Sequence, residues 1–151
     1  MKKRPSHLLS HPVDAETFPE LVKYFTMRIT DIEECPPEVI RVDDKVVGTL
    51  GNFSIITGKA KSGKTFNVSA IAAAAICNMK VLSYTVTLPE DRKTLLYIDT
   101  EQARTHCMAV IKRIYRMAGI EDSEPTNLMF FALREMNDLM RVDFIERAAC
   151  L

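Results

Sequence analysis

The stretch that decides the fold is Gly58-Lys59-Ala60-Lys61-Ser62-Gly63-Lys64-Thr65. It matches the pattern G-x-x-x-x-G-K-[ST], a glycine-rich loop whose backbone cradles phosphate groups where a strand leads into a helix. The short apolar run 53–56 precedes it, and the alanine-rich run 66–79 follows it. The sequence around the loop therefore predicts the strand–loop–helix setting that the motif requires, rather than a glycine turn that only caps a helix.

The residue types in this loop suit a nucleotide. Glycines at 58 and 63 let the backbone curl so that successive N–H groups point at one phosphate, and the helix that begins near Gly63 adds its positive end. Lys64 supplies a charge for the β- and γ-phosphates and is a candidate catalytic residue, while the Thr65 hydroxyl is placed to ligate Mg²⁺. We predict ATP and Mg²⁺ as ligands. The predicted nucleotide-binding residues are Gly58, Lys59, Ala60, Lys61, Ser62, Gly63, Lys64, Thr65 and Phe66.

Composition limits the classes of protein that are compatible with this chain. Its 151 residues are enough for about one domain, and its formal net charge of zero provides no overall basicity to recruit nucleic acid. The longest nearly apolar run, 68–79, is too short to span a bilayer. The basic start is not followed by a sufficiently long apolar segment, so we expect a cytoplasmic protein without a membrane partner. The cysteines are far apart and predict neither a zinc site nor disulfides.

The order of apolar segments predicts an α/β fold. An N-terminal extension, 1–40, contains a helix over 18–29, and the body, 41–151, alternates strands with helices. Fully apolar runs are typical of strands buried on both faces, so we expect a mostly parallel sheet with helices on both sides. The predicted strands of this sheet are 53–56, 94–98 and 127–133, and the predicted helices are 66–79, 103–118 and 142–149. Shorter strands are expected at 39–40 and 46–47, and a strand or hairpin within 80–91.

A second motif, Leu95-Leu96-Tyr97-Ile98-Asp99-Thr100-Glu101-Gln102, ends one of these predicted strands. Acidic residues at the carboxyl end of a parallel strand lie where α/β folds bind ligands. Asp99 is therefore a candidate Mg²⁺ residue, as in small P-loop kinases, and Glu101 is a candidate general base that orients water against the γ-phosphate. A third interpretation, compatible with both, is that Asp99 caps the following helix together with Gln102.

The two motifs together resemble those of RecA-type P-loop ATPases. The closer resemblance is to the RepA-like ATPases of plasmids and mobilizable transposons of Bacteroidetes, including TnpC-type proteins, and it covers about residues 45–150. It implies a RecA-like three-layer αβα fold in which Glu101 is the catalytic base. It also implies an ATPase that acts on DNA in replication or mobilisation, as a helicase or loader. Single-stranded DNA and a homo-oligomeric, hexameric ring are the partners that it implies.

One feature of the family pattern is missing. The Walker B strand of these ATPases, an apolar run that ends in Asp, is expected after the helix at 142–149, whereas the run 130–133 ends in Arg134. We therefore expect this chain to be the N-terminal part of a RecA-like domain, without the Walker B residue or an arginine finger. Hydrolysis is expected of the longer protein, and by this chain alone it is in question.

Two other functions remain open from the sequence. In a small-molecule kinase Asp99 would hold Mg²⁺, although an arginine-rich lid is not evident in the sequence. The other is a non-hydrolysing, nucleotide-gated assembly module or a truncated remnant. Contact with DNA would involve helix 103–118, whose basic residues are Arg104, Lys112, Arg113 and Arg116. The alternative interpretation of these charges is an ordinary solvated helix face.

Overall fold

A computed structural model describes residues 13–31, 35–121, 123, 125 and 127–151 of the chain. The chain divides into two compact units, one that ends at Pro36 and one that comprises Pro37–Leu151. In the described part of the first unit, helix α1 spans Phe18–Phe25 and is shorter than the predicted helix 18–29, because the backbone becomes extended at Thr26. Asp14 stabilises the turn before this helix, because its carboxylate accepts hydrogen bonds from the backbone N–H and the hydroxyl of Thr17.

The second unit is mixed α/β. Its elements in chain order are β1 (Glu38–Val42), β2 (Lys45–Thr49), α2 (Lys64–Cys77), β3 (Tyr84–Val86), β4 (Leu95–Asp99), α3 (Arg104–Ala118), β5 (Leu128–Ala132) and α4 (Asp138–Ala148). The strands form two separate sheets, of which one is antiparallel and the other parallel. The α/β class predicted from the sequence is therefore confirmed at this level.

The antiparallel sheet has the strand order β2–β1–β3. The predicted short strands at 39–40 and 46–47 form its hairpin, which turns at Asp43 in a left-handed conformation (φ 49°). Lys80 donates a hydrogen bond to the carboxylate of Asp43 at 2.9 Å. This bond and the lysine charge lower the pKa of Asp43, although both side chains are exposed. The predicted hairpin within 80–91 adds β3 on the other side of β1.

The parallel sheet is the pair β4–β5, in register from Leu95 opposite Leu128 to Asp99 opposite Ala132. Tyr97 stacks on Phe130 across this pair, with ring centroids 4.5 Å apart and planes within 10° of parallel. Helix α3 connects the two strands, as a parallel crossover requires. The predicted strands at 94–98 and 127–133 and their parallel pairing are confirmed.

The segment 53–56 differs from the prediction, because it is not a strand. Within the described residues, 53–57 make no backbone–backbone hydrogen bond, and the side chain of Ser54 instead donates to the carbonyl of Val47. Phe53 and Ile55 are 87% and 74% exposed. Apolar side chains favour a strand only when a sheet edge lies alongside to pair with the backbone, and no described strand pairs with this segment. The expected mostly parallel sheet is therefore present only as β4 and β5.

The core of the second unit lies around α2. This helix buries alanines on several sides, and the small side chains let α3 and the antiparallel sheet approach it closely. The other members of the buried cluster are Val81, Val86 of β3, and Val110 and Ile114 of α3. The alanines occupy more than one face of α2 because the helix is covered on more than one face.

The helix ends follow local signals. Helix α3 stops at Gly119, whose left-handed conformation (φ 69°) closes the last turn. Helix α4 begins at Asp138, earlier than the predicted 142–149, because the side chain of Asn137 accepts a hydrogen bond from the Met140 N–H and caps the helix there. None of the helices in the described residues is both long and apolar enough to cross a membrane.

Candidate functional site

The glycine-rich loop leads directly into helix α2. Gly63 occupies the N-cap position in a left-handed conformation (φ 82°, ψ 12°), and no side chain caps the helix. Within the described structure, the N–H groups of Lys64, Thr65 and Phe66 have no hydrogen-bond partner, because the first helical bond runs from Asn67 to the Gly63 carbonyl. The first turn of the helix contains no acidic residue. This end of the helix therefore presents unpaired donors and a positive dipole, without an acidic side chain in its own first turn.

The ammonium group of Lys64 lies over the loop. Its Nζ donates to the carbonyl oxygens of Gly58 (2.7 Å) and Lys59 (2.9 Å). A lysine ammonium has three protons, so these two bonds leave one N–H for another acceptor. The Lys64 side chain thus links the start of the loop to the end of the loop. It also keeps a positive charge beside the unpaired backbone donors.

A cleft of about 430 Å³ brings the two sequence motifs together. Lys64 and Thr65 line one side, and Asp99 and Glu101 at the carboxyl end of β4 line the other. This juxtaposition joins all four residues that were predicted as catalytic or metal-binding. The remaining predicted nucleotide-binding residues, 58–63 and Phe66, are described but do not line this cleft.

The carboxylate of Asp99 is engaged in its own turn. Its Oδ1 accepts hydrogen bonds from the backbone N–H groups of Glu101 (3.0 Å) and Gln102 (2.7 Å), and its Oδ2 accepts one from the side chain of Gln102 (2.8 Å). Helix α3 begins only at Arg104, so Asp99 stabilises the turn before the helix and not its N-cap. Glu101 is exposed and has no comparable bonds in the described structure, so it is the freer of the two carboxylates.

Two side chains near Asp99 have a raised pKa. Burial raises the pKa of the Tyr97 phenol, and the Asp99 charge raises it further. The same two causes, in the same order, raise the pKa of the Cys107 thiol, which is only 3% exposed. Both groups are therefore protonated at neutral pH, and neither is a candidate nucleophile.

Two residues near the loop were missed by the sequence analysis. Asn67 donates from Nδ2 to the Gly63 carbonyl (3.1 Å), and its Oδ1 accepts a hydrogen bond from the Tyr84 hydroxyl (3.0 Å). The helical spacing of 63 and 67 is a signal that could have indicated the first contact. The second joins β3 to α2 across 17 positions of sequence, which no local pattern indicates.

In comparisons with known proteins, no protein-family model, no curated protein and no solved structure matches this chain. In the part of the chain that the structure describes, no group of three or more His, Cys, Asp or Glu side chains could hold a metal ion.

The conformation of Gly63 yields a first prediction. Replacement of Gly63 by Ala should lower the free energy of unfolding by about 1–2 kcal/mol, because a Cβ disfavours the left-handed conformation. The same change should weaken binding of tripolyphosphate, since the helix entry must distort. Gly51→Ala is the matched control: Gly51 has nearly the same φ (79°) and no atom within 4 Å of an added Cβ. Denaturation and calorimetric titration should show similar destabilisation of both variants, with weaker binding in Gly63→Ala alone.

Proposed function

We propose that this chain binds ATP through the loop Gly58 to Thr65, as the nucleotide-binding part of a RecA-like P-loop ATPase. The single observation that supports this most is the set of unpaired N–H groups at Lys64, Thr65 and Phe66, next to the Lys64 ammonium. A helix end of this kind is complementary to the oxygens of a phosphate group. Because the loop is exposed, a phosphate has direct access to these donors.

The proposal assigns a task to each side chain in the cleft. Lys64 exchanges its bonds to the loop carbonyls for bonds to the β- and γ-phosphates, which carry more negative charge than a carbonyl. Glu101 accepts a proton from the water that attacks the γ-phosphate, since its carboxylate has no competing donors among the described residues. Thr65 and Asp99 would hold Mg²⁺. The ion, when bound, neutralises charge that develops on the phosphate oxygens.

The bonds around Asp99 bear on how it would meet the ion. Three donors already occupy its two oxygens, so it has less capacity left for direct coordination than a free carboxylate. A contact through one water molecule to Oδ2 fits these bonds better. This favours Glu101 as the reacting carboxylate over a kinase arrangement that depends on Asp99 alone.

Action on DNA is the second part of the proposal, and helix α3 is the surface that it would use. Arg104 and Lys112 are exposed, whereas Arg113 is half-buried and Arg116 lies 3.7 Å from the carboxylate of Glu121. The part of this helix available to a phosphate backbone is therefore less positive than its four basic residues alone indicate. Single-stranded DNA that stimulates ATP turnover would support this part of the proposal.

Calorimetric titration with ATP, tripolyphosphate and adenosine tests the phosphate site directly. We expect ATP and tripolyphosphate to bind in the presence of Mg²⁺, and adenosine to bind at least about 100-fold more weakly, because charge-assisted bonds to phosphate supply most of the free energy. Similar affinities for ATP and adenosine would contradict the proposal. Absence of binding by both phosphate compounds would also contradict it.

A further inference from the structure

We propose that Tyr84 and Asn67 are positioning residues for the phosphate loop, and that they connect the antiparallel sheet to it. This inference rests on the proposed phosphate site. Tyr84 lies in β3, outside both sequence motifs, and its hydroxyl reaches Asn67 in the first turns of α2. Asn67 in turn contacts the carbonyl of Gly63, the residue at which the loop becomes a helix.

Asn67 controls the direction of one peptide group. The Gly63 carbonyl accepts both the backbone N–H of Asn67 (3.0 Å) and its side-chain amide (3.1 Å). Since the peptide that follows Gly63 is trans, the N–H of Lys64 points away from that carbonyl. Two donors on the carbonyl therefore fix the direction of the Lys64 N–H, which is one of the unpaired donors offered to phosphate.

The Tyr84 hydroxyl stabilises the position of the Asn67 amide. A primary amide has one oxygen acceptor and one NH₂ donor, and a rotation of 180° exchanges them. The Gly63 carbonyl can only accept, so Nδ2 faces it, and Oδ1 then accepts a hydrogen bond from the Tyr84 hydroxyl. The rotated amide would place its oxygen against that carbonyl and would lose the bond to Gly63. The carbonyl thus sets the orientation of the amide, and the tyrosine hydroxyl holds the amide in place beside the loop.

The connection reaches the whole antiparallel sheet. Tyr84 pairs with Val42 of β1, and β1 pairs with β2. Among the hydrogen bonds that the structure describes, the Tyr84–Asn67 bond is the one that joins a side chain of this sheet to a side chain of α2. The hydrogen-bonded connection from this sheet to the loop therefore passes through one hydroxyl group, and removal of that single oxygen atom tests it.

The test is a double-mutant cycle in the intact chain, with tripolyphosphate and ATP as probes. Tyr84→Phe should weaken binding of both probes about 3- to 10-fold, as expected for loss of one hydrogen bond. Asn67→Ala should weaken binding at least as much. The double variant should bind as Asn67→Ala does, because the hydroxyl acts only through the amide.

Val86→Ala is the matched control for a merely structural effect. Val86 lies in the same strand and is 3% exposed, but it makes no hydrogen bond to the loop. We expect it to lower the melting temperature more than Tyr84→Phe does, while the dissociation constants of the folded protein stay unchanged. Unchanged binding of both probes by Tyr84→Phe would overturn the inference, and so would a loss of affinity in Val86→Ala as large as that in Tyr84→Phe. Either result leaves the proposed phosphate site unaffected. If the wild-type chain binds neither probe, the proposed function fails and the inference fails with it.

Discussion

Lys64→Ala should weaken binding of ATP about 100-fold or more, to the point where titration detects none at moderate concentrations. A hydrogen bond to a charged group contributes about 1.5–3 kcal/mol, and Lys64 is proposed to make at least one such bond to the β- or γ-phosphate. The variant also leaves the carbonyls of Gly58 and Lys59 without their present donor. Both carbonyls are exposed, so water replaces the donor and the fold should be retained.

Lys59→Ala is the control for charge alone. The substitution removes one positive charge from the same loop. The Lys59 ammonium has no partner among the described residues, and the Lys59 carbonyl, which accepts a hydrogen bond from Lys64, is unchanged. We expect its dissociation constant for ATP to rise less than about threefold, as for an exposed and screened charge. Equal losses of ATP affinity in the two variants would mean that Lys64 contributes only its charge to the local electrostatic potential and makes no specific bond to phosphate. Unchanged affinity in Lys64→Ala would refute the assignment of the loop.

Glu101→Gln should retain ATP binding and lose hydrolysis, by about 10²- to 10⁴-fold in the turnover rate of the intact protein. The substitution removes the proton acceptor but keeps the size of the side chain. The phosphate donors lie on the opposite side of the cleft, on Lys64 and Thr65, and are not altered. Binding should be unchanged or slightly tighter, because a negative charge near the phosphates is removed. Steady-state turnover and calorimetric titration of the same preparation measure the two quantities.

Two further variants show whether this effect is specific. Glu135→Gln neutralises an exposed carboxylate just beyond β5, outside the cleft lining, and should leave turnover unchanged. Asp99→Asn should lower stability, because the new amide opposes the side-chain NH₂ of Gln102. If Asp99→Asn removed Mg²⁺-dependent binding while Glu101→Gln left turnover intact, the kinase arrangement would replace the ATPase.

Much of the local structure could be predicted from patterns in the sequence. The apolar runs that form β4 and β5 lie where they were expected, and α3 ends at Ala118, as the predicted helix 103–118 does. The place of the two carboxylates was also predictable, since Asp99 ends β4 and Glu101 follows it closely. The predicted start of α4 is too late, because the side chain of Asn137 caps the helix before Asp138.

By itself, the sequence determined those features that depend on near neighbours along the chain: the helices, the strands other than 53–56, the loop that leads into α2, and the turn in which Asp99 accepts from Gln102. The tertiary structure alone decided that 53–56 stays outside both sheets and that Tyr84 reaches Asn67. The physical reason is that periodicity and capping act over a few residues. A strand requires a partner edge, and a hydrogen bond such as that between Tyr84 and Asn67 requires two distant segments to meet. Both conditions are set only when the chain packs.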